Sequence, residues 1–198
     1  MTKENKFLYA FDRDKHVVDD LMIDENLPVK FSFDFNLEPF AVLVYQTPDD
    51  DTIEFIEKIR LDDSDIFEVC DRIKAGYSGL FWMVTGDRTG YNRTGTAKGK
   101  TSYWEIIKNE LELTDAQIRL RNKNLDLVAS RVLCNAALQK KNVRISSKLT
   151  EFIRDCKYAK VDKFGELVKD RLKNKNDFLD CGRYAKDIEW PDLHLVKH

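Results

Sequence analysis

Three aspartates sit where apolar segments of this sequence end or where a helix begins, and they are its best candidates for chemistry. Asp34 closes an alternating segment, Asp87 follows the apolar run Leu80–Val84, and Asp180 lies in a helical segment near the carboxyl terminus. Carboxylates that converge can hold two divalent cations, which suits the hydrolysis of phosphodiesters. Oxygen ligands favour Mg²⁺ or Mn²⁺ over zinc. The question is which elements would bring these acids together.

Two predicted strands deliver the first two acids. Phe31, Phe33 and Phe35 alternate with polar residues in the period of a β-strand, which puts Asp34 on the polar side. The run Leu80–Val84 has no alternation and therefore predicts a strand covered on both faces. If the two strands are parallel neighbours, Asp34 and Asp87 share the crevice at their carboxyl ends.

A predicted helix near the carboxyl terminus carries the other acids. Its apolar face holds Phe178, Cys181, Ala185 and Ile188, and beside that face run Asp177, Asp180 and Tyr184. An aspartate pair at a helix start also complements the helix dipole. The pair therefore gains functional weight only in combination with Asp34 and Asp87.

The order of elements predicts a fold class. A strand over Phe40–Tyr45, a turn rich in Pro and Asp, and a strand over Thr52–Arg60 form a hairpin, in which we expect Glu54 and Glu57 to face solvent. A helix from about Asp63 or Ser64 and the Leu80–Val84 strand follow. Three meander strands, a crossover helix and a returning strand open an α/β ribonuclease H-like fold, a mixed sheet flanked by helices.

Weaker patterns complete the secondary structure. Ser102 and Glu105 form a capping box, and apolar spacing predicts helices over Leu125–Ala137 and Leu149–Cys156. The remaining predictions are short strands at Phe7–Phe11, within Asp12–Asn26, at Val143–Ile145 and at Gln117–Arg121, the last of which competes with a helix capped at Thr114. We expect one domain, 1–198, with a peripheral lead-in over 1–27 and a catalytic core over about 28–188.

Composition excludes several classes of protein. The 198 residues are 42% hydrophobic and 34% charged with a net charge of -2, so the overall balance demands no polyanionic partner. No apolar run approaches transmembrane length, and we expect a soluble protein without a membrane partner. Four widely spaced cysteines predict reduced, buried thiols. The three histidines lie near the chain ends and pair with no Ser or Cys nucleophile.

Basic residues follow Asp87. The loop from Gly86 to Lys100 carries Arg88, Arg93, Lys98 and Lys100, which suits a grip on a nucleic-acid backbone, although a solvated surface loop is the alternative. Its glycines are separated by three residues where a P-loop needs four, so the sequence argues against ATP binding here. Arg131 on the Leu125–Ala137 helix could likewise reach DNA or bond across the surface.

The sequence resembles the nuclease domain of the large terminase subunit of tailed bacteriophages, which cuts concatemeric DNA during genome packaging. The matching motifs are Asp34-Phe35-Asn36 followed by Pro39, Thr85-Gly86-Asp87 followed by Thr89-Gly90, the Trp104-centred helix, and Asp180-Cys181-Gly182-Arg183-Tyr184. They occur in order between about residues 29 and 186.

The resemblance implies specific roles. Asp34, Asp87 and Asp180 would be the metal-binding acids, and Asp177 stands where many members have a histidine. It also implies double-stranded DNA as substrate, a portal and small terminase subunit as partners, and the cytoplasm of an infected bacterial host. The family's amino-terminal packaging ATPase has no counterpart in this sequence, so we expect either an isolated domain or a piece of a longer protein from which the ATPase half was removed.

Two alternatives remain open from the residues alone. The same fold could act on branched or hybrid nucleic acid, as junction resolvases and ribonucleases H do. It could also be a non-catalytic DNA-binding or docking module whose acids are structural, and metal titration would separate that class from a nuclease.

The basic loop generates a testable prediction. We expect replacement of Arg93, Lys98 and Lys100 by Ala to weaken DNA binding equally across sequences and to make its salt dependence shallower, because fewer counterions are released. Fluorescence anisotropy with two unrelated duplexes over a range of salt concentrations measures both effects, and Mn²⁺ binding serves as the control that stays unchanged. An unaltered affinity and salt slope would identify a solvated surface loop.

Overall fold

A six-stranded mixed β-sheet with helices on its two faces forms the centre of the protein. The structure is a computed structural model that describes residues 5–35, 40–61, 65–92, 101–164, 167–168 and 176–195. The strands are β1 Val17–Val18, β2 Val29–Asp34, β3 Phe40–Gln46, β4 Thr52–Leu61, β5 Trp82–Gly86 and β6 Asn142–Ser146. The helices are α1 Arg13–His16, α2 Ile66–Gly76, α3 Tyr103–Glu110, α4 Leu127–Lys140, α5 Thr150–Tyr158 and α6 Asp177–Glu189.

The sheet topology confirms the predicted fold class. The spatial order is β1-β6-β4-β3-β2-β5. β2, β3 and β4 form an antiparallel meander, and the crossover through α2 returns β5 parallel to β2. β6 is parallel to β4, and β1 is a short edge strand parallel to β6. This is the mixed sheet of a ribonuclease H-like fold.

The alternation in β2 gives its two faces different roles. Phe31 and Phe33 belong to the core that lies under α2 and α3, together with Trp104. Lys30 and Ser32 point the opposite way and form hydrogen bonds with α6. Helices cover both faces, so every residue of β2 is buried. The polar face of β2 is therefore part of the interior, and α4, α5 and α6 supply the second core above it.

One expectation about the β3–β4 hairpin is wrong. Glu57 is exposed, where it accepts a hydrogen bond from the Tyr77 hydroxyl at 2.5 Å, but Glu54 is buried and forms an ion pair with Arg144. The reason is that β4 is not an edge strand. It pairs with β6 as well as β3, and Glu54 lies in register with Arg144.

Two of the predicted short strands are not formed in the structure. Instead of a strand, the segment from Phe7 to Phe11 is held by the Phe7 amide, which donates to the Ala159 carbonyl at 2.9 Å, and by Asn135. Asn135 accepts from the Ala10 amide and donates to the Phe7 carbonyl, both at 2.8 Å, while Phe7 and Leu8 fill the core beside α4 and α5. Near Gln117 the capped alternative is found, a single turn of 3₁₀ helix over Asp115–Gln117 with a Thr114 capping box. Ile118 then forms an isolated bridge to β5.

Other local signals are confirmed. The Ser102–Glu105 capping box opens α3, and Asp65 caps α2 through the amides of Phe67 and Glu68. Asp63 and Ser64, the predicted start of α2, lie outside the described residues. All four cysteines are buried free thiols. Within the described ranges, no helix has the length and apolarity needed to cross a membrane.

Gly86 sits where β5 passes close to β2, and it generates a stability prediction. Its φ is +148°, and a Cβ there would lie 2.3 Å from the Phe33 carbonyl oxygen. We expect Gly86→Ala to lower the free energy of unfolding by about 2–4 kcal/mol, because backbone strain and overpacking add. Urea denaturation measures the change.

Gly76 offers a matched control. A Cβ at that helical position would meet nothing within 4 Å. Gly76→Ala should therefore leave the stability unchanged or raise it by up to about 1 kcal/mol through helix propensity. Equal stabilities for the two variants would contradict the close approach of β5 to β2.

Candidate active site

Asp34 and Asp87 leave the sheet at the same edge. Phe33 of β2 lies opposite Gly86 of β5 in the parallel register, and the Asp87 amide donates a hydrogen bond to the Phe33 carbonyl at 3.0 Å. Each aspartate directly follows one member of that last pair. The structure thus brings together the two acids that the sequence predicts to be neighbours, and each is only 5% exposed.

Hydrogen bonds fix the orientation of Asp87. Its Oδ1 accepts from the Thr89 amide at 2.8 Å and from Asn124 Nδ2 at 2.8 Å, while its Oδ2 accepts from the Thr89 hydroxyl at 2.6 Å. Its main-chain carbonyl accepts from Trp104 Nε1 at 2.9 Å. The carboxylate and its backbone are therefore held by neutral donors from three separate parts of the chain.

Packing of α6 along β2 delivers the remaining acids. Lys30 forms an ion pair with Glu189 at 2.9 Å, and the Ser32 hydroxyl donates to the Cys181 carbonyl at 2.7 Å. Asp34 is the next residue on this face of β2. The helix runs antiparallel to the strand, so its amino-terminal turn, which contains Asp177 and Asp180, lies toward Asp34.

Arginines provide counter-charges for these buried acids. Arg183 Nε donates to Asp180 Oδ1 at 2.7 Å, and Arg60 Nη2 lies 3.8 Å from Asp177 Oδ2. Asp177 and Asp180 are 2% and 1% exposed. Burying a charge is unfavourable unless an opposite charge is near, and these arginines supply that opposite charge.

The pKa values of two neighbouring side chains are raised by several of the same acids. Burial raises the pKa of the Cys181 thiol well above its ordinary value, and the charges of Asp34, Asp180 and Asp177 raise it further. Burial likewise raises the pKa of the Tyr184 hydroxyl against the opposing effect of Arg183, with Asp34, Asp180 and Asp87 adding to the rise. The four predicted site acids therefore gather in one region.

The side chains do not form a ready coordination shell. In the part of the chain that the structure describes, no three or more His, Cys, Asp or Glu side chains are arranged to hold one metal ion. Arg183 occupies an oxygen of Asp180, which is a physical reason for this arrangement. The donor set nevertheless fits Mg²⁺ or Mn²⁺, because four carboxylates offer only hard oxygen ligands.

The predicted DNA-binding residues fall in different places. Arg88 directly follows Asp87, stacks over the Tyr91 ring at 4.3 Å and is half-buried. Arg131 instead donates from Nη2 to the Lys6 carbonyl at 2.9 Å and so holds the amino-terminal segment against α4. Arg93, Lys98 and Lys100 lie outside the described residues.

Sequence reasoning missed several residues of this region. Arg183 follows Asp180 by three positions, a spacing that predicts an ion pair on a helix and could have been used. Asn124 and Arg60 reach the acids only through the tertiary fold. Asp155 on α5 is also buried, which raises its pKa to about 6, with Arg154 lowering it and Asp177 raising it. No local pattern distinguishes Asp155 from a surface acid.

Comparison with solved structures identifies the fold of the chain. No protein-family profile and no curated protein sequence matches the chain. Among solved structures, the large terminase of a thermophilic bacteriophage matches with a TM-score of 0.69 and 16% identity over 93% of this chain. The chain spans only 45% of that protein.

Isolated nuclease domains match over nearly their whole length. The nuclease domain of the P22 large terminase gives a TM-score of 0.63 at 13% identity, covering 91% of this chain and 90% of that domain. The large-terminase nuclease domain of bacteriophage SPP1, solved with bound Mn, gives 0.53 at 16% identity, covering 86% and 93%. The chain therefore has the fold of large-terminase nuclease domains, which confirms the resemblance at the level of the fold.

The Arg183–Asp180 ion pair generates a prediction about stability. Repulsion among the acids alone would make Asp180→Asn neutral or stabilising without metal. Because Arg183 would lose its charged partner while buried, we expect instead a free energy of unfolding lower by about 2–4 kcal/mol. Urea denaturation in EDTA tests this. Asp87→Asn is the matched control, and its neutral partners should limit the loss to about 1 kcal/mol. Equal losses would mean that the ion pair contributes little.

Proposed function

We propose that this chain is a metal-dependent endonuclease that cuts concatemeric viral DNA during genome packaging. The observation that carries the proposal is the gathering of Asp34, Asp87, Asp177 and Asp180 at the carboxyl edge of β2 and β5, each at most 5% exposed. Burying several acids together is unfavourable, and such clusters occur where a function needs the charge. The likeness to solved nuclease domains of large terminases supports the same assignment.

Two divalent cations, Mg²⁺ or Mn²⁺, would be held by the acids. Asp34, Asp87 and Asp180 would form the main set of ligands, and Asp177 would be a further oxygen donor. When bound, such ions supply a nucleophilic water and neutralise charge on the leaving oxygen of a phosphodiester. The manganese in the SPP1 nuclease domain supports a hard divalent cation in this fold.

The chain's own groups prepare this site. Thr89 and Asn124 orient the Asp87 carboxylate, so one ligand is positioned before a cation arrives. The amino-terminal end of α6 points into the site with the positive end of its dipole, which favours the acids of its first turn and an approaching phosphate. Arg88, next to Asp87, would contact the DNA backbone from the β5 side, together with the basic loop that follows.

Partners follow from the same proposal. The chain matches 45% of the large terminase of the thermophilic bacteriophage, which has also been solved in complex with ATP-gamma-S. In that setting a packaging ATPase would act with this domain, together with a portal and a small terminase subunit. Tethering to such an ATPase would raise the local DNA concentration, so the isolated chain is expected to cut slowly.

Cleavage of supercoiled plasmid tests the proposal. We expect nicking or cutting with Mn²⁺ or Mg²⁺, without ATP, and none in EDTA. Asp34→Asn should reduce the rate by at least about 100-fold, because a lost ligand removes several kcal/mol of transition-state stabilisation and each 1.4 kcal/mol is about tenfold. Agarose gels that separate supercoiled, nicked and linear plasmid give the rates.

Asp71→Asn, at an exposed acid on α2 paired with Lys74, is the matched control and should cut like wild type. Cleavage that persists in EDTA, or no cleavage with either metal, would count against the nuclease. Running a four-way junction and an RNA–DNA hybrid alongside the plasmid identifies the substrate. A strong preference for either would favour the alternative ribonuclease H-like activity over packaging.

A further inference from the structure

Tyr184 places an uncharged hydroxyl within the acidic site. It lies one turn after Asp180 on α6, and residues four apart share one flank of a helix. Its side chain is only 8% exposed although the hydroxyl is polar. A buried hydroxyl needs hydrogen-bond partners, and those partners show where its oxygen and its proton are directed.

The Arg183 guanidinium ties this hydroxyl to Asp180. Nε of Arg183 donates to Asp180 Oδ1 at 2.7 Å, and Nη2 donates to the Tyr184 oxygen at 2.9 Å. The planar guanidinium therefore fixes the carboxylate and the hydroxyl relative to each other. Since the tyrosine oxygen accepts this bond, its own proton is directed to a different group.

Charges of both signs surround the hydroxyl, since the Arg183 guanidinium contacts its oxygen and three acids lie nearby. The acids that raise the pKa of Tyr184 come from three elements: Asp34 ends β2, Asp87 follows β5, and Asp180 lies on α6. An ordinary tyrosine already keeps its proton at neutral pH. The hydroxyl thus presents an O–H donor in the region where these three acids converge.

We propose that Tyr184 is a catalytic residue of the nuclease, whose hydroxyl donates a hydrogen bond to a non-bridging oxygen of the scissile phosphodiester of DNA. This inference rests on the proposed nuclease function. Negative charge on the phosphate oxygens must be stabilised during in-line displacement, and a positioned donor does so without competing for metal. The hydroxyl keeps its proton throughout, so no bond to Tyr184 forms or breaks.

Tyr184→Phe removes only the hydroxyl and is the direct test. We expect the cleavage rate at saturating Mn²⁺ and DNA to fall by about 100-fold, the loss typical of one transition-state donor. The KM for DNA and the Mn²⁺ affinity, taken from thermal shifts, should stay within about twofold, because the bond acts in the transition state. Incorporation of 3-fluorotyrosine at position 184, which retains the donor, should restore the rate. Tyr158→Phe, at a tyrosine 49% exposed on α5, is the matched control.

The outcomes separate this inference from the proposed function. If wild type fails to cut with metal, the nuclease itself is excluded and the inference falls with it. If wild type cuts, Asp34→Asn does not, and Tyr184→Phe cuts like wild type, only the role of Tyr184 is overturned. A slower Tyr184→Phe variant with weaker Mn²⁺ binding would also overturn it, since the hydroxyl would then support the metal site and not the phosphate. A lower melting temperature alone is expected, because Arg183 Nη2 loses its buried acceptor.

Discussion

Crowding of negative charge at one buried edge of the sheet is the constraint on which this structure depends. Two like charges 4 Å apart repel by about 4 kcal/mol at an effective dielectric constant of 20. This repulsion is offset by Arg183 beside Asp180, by Arg60 beside Asp177 and by neutral hydrogen-bond donors around Asp87. These contacts use oxygens that a metal ion would also need. In the proposed nuclease, cation binding would exchange one counter-charge for another.

The position of α6 along β2 decides whether the acids meet at all. A helix that lies on a purely apolar strand face can slide, since dispersion contacts are not directional. The polar face of β2 removes that freedom, because Lys30 binds Glu189 at one end and Ser32 binds the Cys181 carbonyl near the middle. With these two points fixed, the first turn of α6 can only lie toward Asp34. The polar residues of a buried strand thus set the register of the site.

Prediction from the sequence succeeded where the determining forces are local or periodic. Alternation in β2 and the apolar run of β5 identified the strands that carry Asp34 and Asp87, and their parallel pairing followed from the order of elements. Prediction failed where tertiary partners determine whether a side chain is buried. Glu54 is an example, since it pairs with Arg144 because β6 lies beside β4. Asn124 lies in an irregular segment 37 residues from Asp87, and no sequence pattern predicts its hydrogen bond to that acid. The catalytic roles remain predictions, since the fold positions the acids without showing what they bind.

Asp177 shows how a substitution within the motif changes the chemistry that the site can support. The resemblance places a histidine at this position in many terminase nucleases, and a neutral imidazole adds no charge there. An aspartate adds a fourth negative charge, and Arg60 on β4 supplies a counter-charge 3.8 Å from it. It also makes the donor set entirely oxygen. Imidazole suits zinc and other transition metals, whereas carboxylates suit Mg²⁺ and Mn²⁺. In the proposed nuclease, the exchange that increases repulsion among the acids would therefore also strengthen their attraction for a hard divalent cation over zinc.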